Sequence, residues 1–332
     1  MKTRQAGAAI LTAMLTVALV AVMTSAMLWQ AWRGLEVESA QRTRVQSTWI
    51  LNGALDWARL ILREDARQGG ADGLSEPWSV PLAPARLSDF LATERGQNLV
   101  SDETDPSQEA FLSGAIQDMQ ARLNVHNLLE GKKLNMAGVA AWMRLFEQLN
   151  LPEAELLRLT NSLMAASANG PLSAGENRPL WPQDVSDLRW LGLSAPSLAT
   201  LSPYITLLPA NTPINLNTAS PEVLLAGIDG MDLAQARALV RVRASKRFNT
   251  LADVAKLIDN PGIKLEPKLH STSSRYFSVM GQLRVGQTTV QERSLIQRDG
   301  LQVLALRRTR EIVNLTMQSV LRGQPANAPP LQ

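Results

Sequence analysis

The sequence predicts an α+β protein: a long N-terminal helix and a small antiparallel sheet, with a large all-α domain of helix-hairpin-helix or SAM-like type inserted between the strands. Three observations predict it. Residues Ala8 to Trp32 contain no Asp, Glu, Lys or Arg. Apolar residues then recur at helical spacing through much of 136–257. After Ser271 the pattern changes to the alternation of strands. Late strands need a partner sheet, so an insertion into one head suits this order better than separate beads.

The first element is an apolar helix. The 25 residues Ala8–Trp32 span roughly 37 Å as a helix, enough for a bilayer core with some tilt. Lys2 and Arg4 lie on one side of it, and Trp29 and Trp32 near the other, where amphipathic rings favour an interface. The junction Gly7–Ala8 precedes the apolar run. An ordinary secretory signal is cut after its apolar segment, here at Ala26, and its apolar core is usually shorter than this one. A cut after Gly7 leaves the helix on the mature chain.

From Arg33 to about Arg67 there is no proline, and Leu51, Leu55, Ala58 and Leu62 form one face of an amphipathic continuation. Gln68-Gly69-Gly70 is the expected stop. Residues 68–126 read as the first part of the head, turn-rich at first, with a strand expected over Ile116–Val125. Residues 127–270 read as the helical insertion. Its helices are expected at Met136–Asn150, Glu153–Ala168, 184–192, 194–201, Pro221–Ile228, Leu233–Ala244 and Leu251–Leu257. Strands are expected at Arg275–Leu283 and Thr288–Gln297, around Val285-Gly286-Gln287, and at Gln302–Arg308, within a strand region 271–310. The tail 311–332, rich in proline towards its end, is expected to be partly disordered.

Composition narrows the function. The chain has 332 residues, no cysteine and a net charge of +3, of which the leader cations Lys2 and Arg4 supply two. Disulfides, thiol chemistry and cysteine-based zinc sites are excluded. His126 and His270 lie in different segments, and no serine-nucleophile elbow, phosphate loop or paired-histidine zinc helix is present. Glu64-Asp65 reads as helix surface. No enzyme is expected.

Residues 214–268 also read as a helix-hairpin-helix unit, with Gly227 and Gly230 at the turn and Ala234, Ala238 and Leu239 packing the second helix. Arg237, Arg241, Arg243, Lys246 and Arg247 could form a phosphate-binding stripe. The alternative function is therefore a membrane-tethered periplasmic DNA-binding protein of the competence type. Asp229 and Asp232, in the same hairpin, would repel phosphate.

Several stretches together resemble one family. They are the leader, Ala121-Arg-Leu-Asn-Val-His-Asn-Leu128, Trp181-Pro182 with Leu188-Arg189-Trp190, Ile214-Asn-Leu-Asn-Thr-Ala-Ser-Pro-Glu-Val-Leu224 and Ser273-Ser-Arg-Tyr-Phe-Ser278. In this order they resemble the type II secretion minor pseudopilins of the GspK family. The resemblance implies a pilin-like head, cleavage between Gly7 and Ala8 by a prepilin peptidase and N-methylation of Ala8. It places the protein in the inner membrane of a Gram-negative bacterium, with the head in the periplasm. Pilins usually carry Glu as the fifth mature residue, where this chain has Thr12. GspK-type proteins resemble it in lacking that Glu and are placed at the fibre tip. Implied partners are the I, J and H pseudopilins, the inner-membrane secretion platform, and the exported proteins or the outer-membrane secretin. Nucleic acid is not implied. The family is reported to bind calcium in its head. The acidic residues Asp102, Glu103, Asp105 and Glu109 are the candidate ligands here, with a solvated loop as the alternative.

Overall fold

The computed structural model describes residues 6–87, 110–167, 179–286 and 288–313. The start of the leader, the acidic residues Asp102, Glu103, Asp105 and Glu109, Gln287 and the tail from residue 314 lie outside the described residues. The chain divides into two compact units, Met1–Gly53 and Ala54–Gln332.

Helix α1 runs from Ala6 to Gln68. Up to Trp32 it is apolar on all sides: Leu11, Leu15, Val20 and Leu28 are each more than half exposed. It is long and apolar enough to cross a membrane, which fits single-pass anchoring. The hydroxyls of Thr12 and Thr16 donate to the carbonyls of Ala9 and Ala13, both at 2.9 Å, so these polar groups are satisfied within the helix. The Arg33 guanidinium lies 4.7 Å from the centre of the Trp29 ring.

In the second unit, Leu55, Ala58 and Leu62 of α1 are buried against Trp78, Phe277, Val279, Ile296 and Val303. The expected apolar face is therefore used. Full burial of a leucine such as Leu62 contributes about 1.5–3 kcal/mol. The helix ends where the glycines predict, with Gly69 at φ 69° and Gly70 at φ 110°. Trp78 meets Phe277 edge-on at 5.3 Å.

Strand β1 is Leu82–Arg86 and β2 is Ala110–Asp118. Two predicted features change here. The strand expected over Ile116–Val125 lies earlier and stops at Asp118, whose carboxylate accepts from the Gln120 backbone N–H and turns the chain into a 3₁₀ turn, Met119–Ala121. The apolar alternation beyond Asp118 falls on that turn and on a separate two-residue strand, Leu123–Asn124. Strand β1 was not expected. It contains Pro84, tolerated because β1 is an edge strand whose pairing shifts register between Leu82 and Ala85.

Short elements follow: β3 (Leu123–Asn124), β4 (Leu129–Glu130) and β5 (Lys133–Leu134). The helices α2 (Met136–Gln148) and α3 (Glu153–Ser167) come next, then a 3₁₀ turn at Val185–Arg189. After α4 (Ala195–Leu201) come β6 (Ile205–Thr206) and β7 (Ile214–Asn215). The run closes with α5 (Pro221–Gly227), α6 (Leu233–Ser245), α7 (Leu251–Ile258) and β8 (His270–Ser271). The helices start where side chains close their first turns: Ser194, Ser220, Asp232 and Thr250 each accept a backbone N–H. One core, including Trp142, Phe146, Leu159, Leu201, Leu224 and Leu239, serves all of these helices. Leu239 of α6 is buried there as expected and Ala238 is half-buried, but Ala236, not the exposed Ala234, completes the packing face.

The chain returns as β9 (Tyr276–Val285), β10 (Thr288–Asp299) and β11 (Gln302–Val313). Among the described residues these complete a five-stranded antiparallel sheet in the order β1-β2-β9-β10-β11. β2 and β9 are neighbours, with Asp118 opposite Phe277. All of 119–275 is therefore an excursion between two paired strands. β11 runs five residues further than expected, over residues 309–313, so that the first three residues of the expected tail belong to the strand.

Candidate functional site

The excursion leaves and rejoins the sheet at a buried polar neck. Asp118, the last residue of β2, is 6% exposed. Its Oδ2 accepts from the Ser274 hydroxyl (2.7 Å), the Thr218 hydroxyl (2.6 Å) and Asn215 Nδ2 (2.9 Å). Its Oδ1 accepts from Gln120 N–H at 2.8 Å. Burial pushes the Asp118 carboxyl up from its ordinary range, while these four hydrogen bonds pull it down. Gln120 donates to the Pro213 carbonyl at 3.0 Å and accepts from Arg275 N–H at 2.6 Å.

The asparagines of the two most distinctive sequence stretches are staples. Asn217 donates to the carbonyls of Phe248 and Thr272 and accepts from Phe248 N–H at 2.9 Å. Asn124 donates to Ala210 and accepts from Leu208 N–H. Asn127 and Thr212 exchange two bonds, at 2.7 and 2.9 Å. Each satisfies backbone that has no regular partner, so the side chain does what a ladder would otherwise do.

Beside the neck, α1 and the loop after it present three carboxylates, Asp65, Asp72 and Glu76, whose oxygens lie within 4.8 Å of one another. Arg298 lies between Asp65 and Asp72, at 2.5 Å from each, and Arg247 pairs with Glu76. Arg298 also donates to the Ser274 carbonyl and lies over the Phe277 ring. Three carboxylates face two guanidiniums. Burial and the Glu76 carboxylate push Asp65 up to about 6 against the pull of Arg298. As arranged, the two arginines already pair with all three carboxylates and offset two of the three charges, so the cluster does not fit a divalent cation. The reading of Asp65 as helix surface is corrected: Glu64 is exposed, but the Asp65 side chain is 14% exposed and turned to Arg298.

Gly7 and Ala8 lie in the first turns of α1, and Thr12 follows on the same helix. His126 stacks edge-on with Trp181 at 5.3 Å, and burial lowers its pKa. His270 accepts from Glu266 N–H through Nδ1 and lies 3.3 Å from the Gly227 carbonyl through Nε2, so its neutral form is built into the core. The basic stripe is partly consumed by packing. Arg243 donates to the Leu216 carbonyl at 2.7 Å and Arg247 pairs with Glu76. The N-terminus of α6 is closed by its own Asp232–Gln235 capping box, and Asp229 pairs with Arg144 at 2.8 Å.

Asp72, Glu76, Asp118, Gln120 and Arg298 were not foreseen from the sequence. Their partners are distant in the chain, and no local spacing announces them.

Comparison with known proteins follows the same outline. The family model for type II secretion system (T2SS), protein K, matches residues 214–273, the stretch that holds Asn215, Asn217 and Thr218. Type II secretion system protein K of Pseudomonas aeruginosa is 28% identical over 309 residues, covering 86% of each chain. The Klebsiella pneumoniae protein of the same name is 26% identical, covering 90% of this chain and 94% of its own. The fold is similar to one in the crystal structure of the GspK-GspI-GspJ complex from enterotoxigenic Escherichia coli. The TM-score is 0.57 at 18% identity, covering 82% of this chain and 98% of that one. With the apolar helix, the sheet and the long excursion all in place, the chain is similar over most of its length to the type II secretion system K proteins.

Proposed function

We propose that this minor pseudopilin of the type II secretion system caps the tip of the pseudopilus and helps to start its assembly, for protein export across the outer membrane. A prepilin peptidase cuts between Gly7 and Ala8, and Ala8 becomes the N-methylated end of an inner-membrane helix. The head stands in the periplasm. The protein works by assembly and carries out no chemistry of its own.

Thr12 is the observation that carries the tip reading. A carboxylate in lipid is costly without a partner. At the fifth mature position this chain has a hydroxyl bonded to its own helix at Ala9. A subunit at the tip has none above it, and Thr12 demands none. The excursion between β2 and β9 adds bulk to the head, which favours an end position. The similar solved protein is named in complex with GspI and GspJ, and we extend those partners, with H, to this chain. The absorption of Arg243 and Arg247 into packing and the closed α6 N-terminus favour this role over DNA binding.

The test is co-production of the full-length chain with its I and J counterparts, extraction in detergent and cross-linking, together with labelling of fibres. A stable complex and label at fibre ends only are expected. Label along the fibre, or no association, contradicts the proposal.

A further inference from the structure

On the side of the excursion facing β10 and β11 lies a cavity of about 280 Å³. Its lining includes three arginines, Arg122, Arg293 and Arg307, and one carboxylate, Asp184. Asp184 pairs with Arg307 at 3.4 Å. Among the described residues, Arg122 and Arg293 have no carboxylate within ion-pair distance. Arg122 is half-buried, and its side chain has one long bond, 3.5 Å, to the Gln117 amide oxygen. Burial and the nearby Arg293 guanidinium hold Arg122 below the usual guanidinium range, with Asp118 pulling the other way. Two like charges beside each other, one of them partly desolvated, cost free energy unless an anion completes the set.

A second observation points to the same space. Thr206 of β6 lines this cavity. It is wholly buried, and its hydroxyl has no hydrogen-bond partner. Native proteins rarely leave such a group unsatisfied. Ser278 of β9 adds a further hydroxyl to the lining.

We propose that this cavity binds a small oxyanion of two or more negative charges, a phosphate or a di- or tricarboxylate, held by Arg122, Arg293 and Arg307 with the Thr206 hydroxyl as an added donor. Forked guanidiniums suit planar and tetrahedral oxyanions. The volume is several times that of a water molecule and admits a small organic anion as well as an inorganic one. Bound there, the anion joins the sheet strands β10 and β11 to the excursion through β6 and the Arg122 turn.

The test uses the full-length protein in detergent, titrated with inorganic phosphate and separately with citrate. Ionic strength is matched with sodium chloride, and the readouts are calorimetry and the melting temperature. A saturable heat and a concentration-dependent rise in melting temperature are expected for at least one of the two. Arg293→Gln, at an exposed position, should weaken that binding at least tenfold without lowering the apo melting temperature, since it removes one of the two like charges. Thr206→Val removes the orphaned hydroxyl, so it should raise the apo melting temperature and weaken binding several-fold. Phosphate alone binding identifies an inorganic ligand, and citrate alone a carboxylate. No saturable effect beyond the chloride control, or equal affinity in the wild type and Arg293→Gln, overturns the proposal.

Discussion

Asp118 and Ser274 stand 156 positions apart and share a hydrogen bond of 2.7 Å. One residue ends β2, and the other lies two positions before β9. The bond therefore closes the neck of the whole excursion. Asn215 and Thr218, from inside the excursion, donate to the same carboxylate oxygen. The sheet and its largest appendage are thus joined through one buried acid.

Removing a donor from this acid should cost stability. Ser274→Ala leaves the Asp118 oxygen short of one bond and should destabilise by about 1–3 kcal/mol. Asp118→Asn turns an amide N–H₂ or a neutral oxygen towards three donors and should cost at least as much. Denaturant melts of both variants measure this. Costs below about 0.5 kcal/mol would show that the neck contributes little.

The acidic cluster predicts a pH signature. The folded value of Asp65, about 6, lies above its ordinary 3.8, so the folded chain holds the extra proton between those values. Stability tied to this group is present at low pH and falls as pH rises through about 4 to 6. Asp65→Asn abolishes the titration and keeps an oxygen for Arg298. Its melting temperature relative to the wild type should climb from pH 4 to pH 7. A relative fall over that window would mean that the Arg298 pair dominates.

Two glycine substitutions should diverge. A Cβ at Gly138 in α2 would stand 2.0 Å from the Asn127 carbonyl oxygen, a backbone atom. Gly138→Ala should therefore destabilise by about 1–3 kcal/mol despite alanine's better helix propensity. Gly53 has nothing within 4 Å of such a Cβ, and Gly53→Ala should stabilise by about 0.5–1 kcal/mol. Thermal melts of the two variants give the comparison.

Asn217→Ala leaves both the N–H and the carbonyl of Phe248 without their present partner. A loss of about 1–3 kcal/mol is expected, with faster amide exchange at Phe248. Unchanged exchange there would show that water replaces the side chain.

Much of the fold was legible because it is periodic. The helices from Met136 to Ile258 and the strands after Ser274 announce themselves by their apolar spacing. β1 was illegible because it is five residues long, contains Pro84 and lies at an edge. The end of β2 was misplaced because alternation continued past Asp118, where a side-chain bond, not the pattern, turns the chain. The neck was hidden for a deeper reason. Asp118, Asn215 and Ser274 are ordinary polar residues until folding brings them together, and Asp65 looks like helix surface until Arg298 arrives from β10.

The central claim is that the apolar helix is the mature N-terminus of a pseudopilin. Intact-mass and N-terminal analysis of the protein extracted from membranes, produced with an active prepilin peptidase, tests it most directly. The account predicts a chain beginning at N-methylated Ala8, with Gly7→Val blocking that maturation. A mature chain beginning at Met27, or one still beginning at Met1, would contradict it.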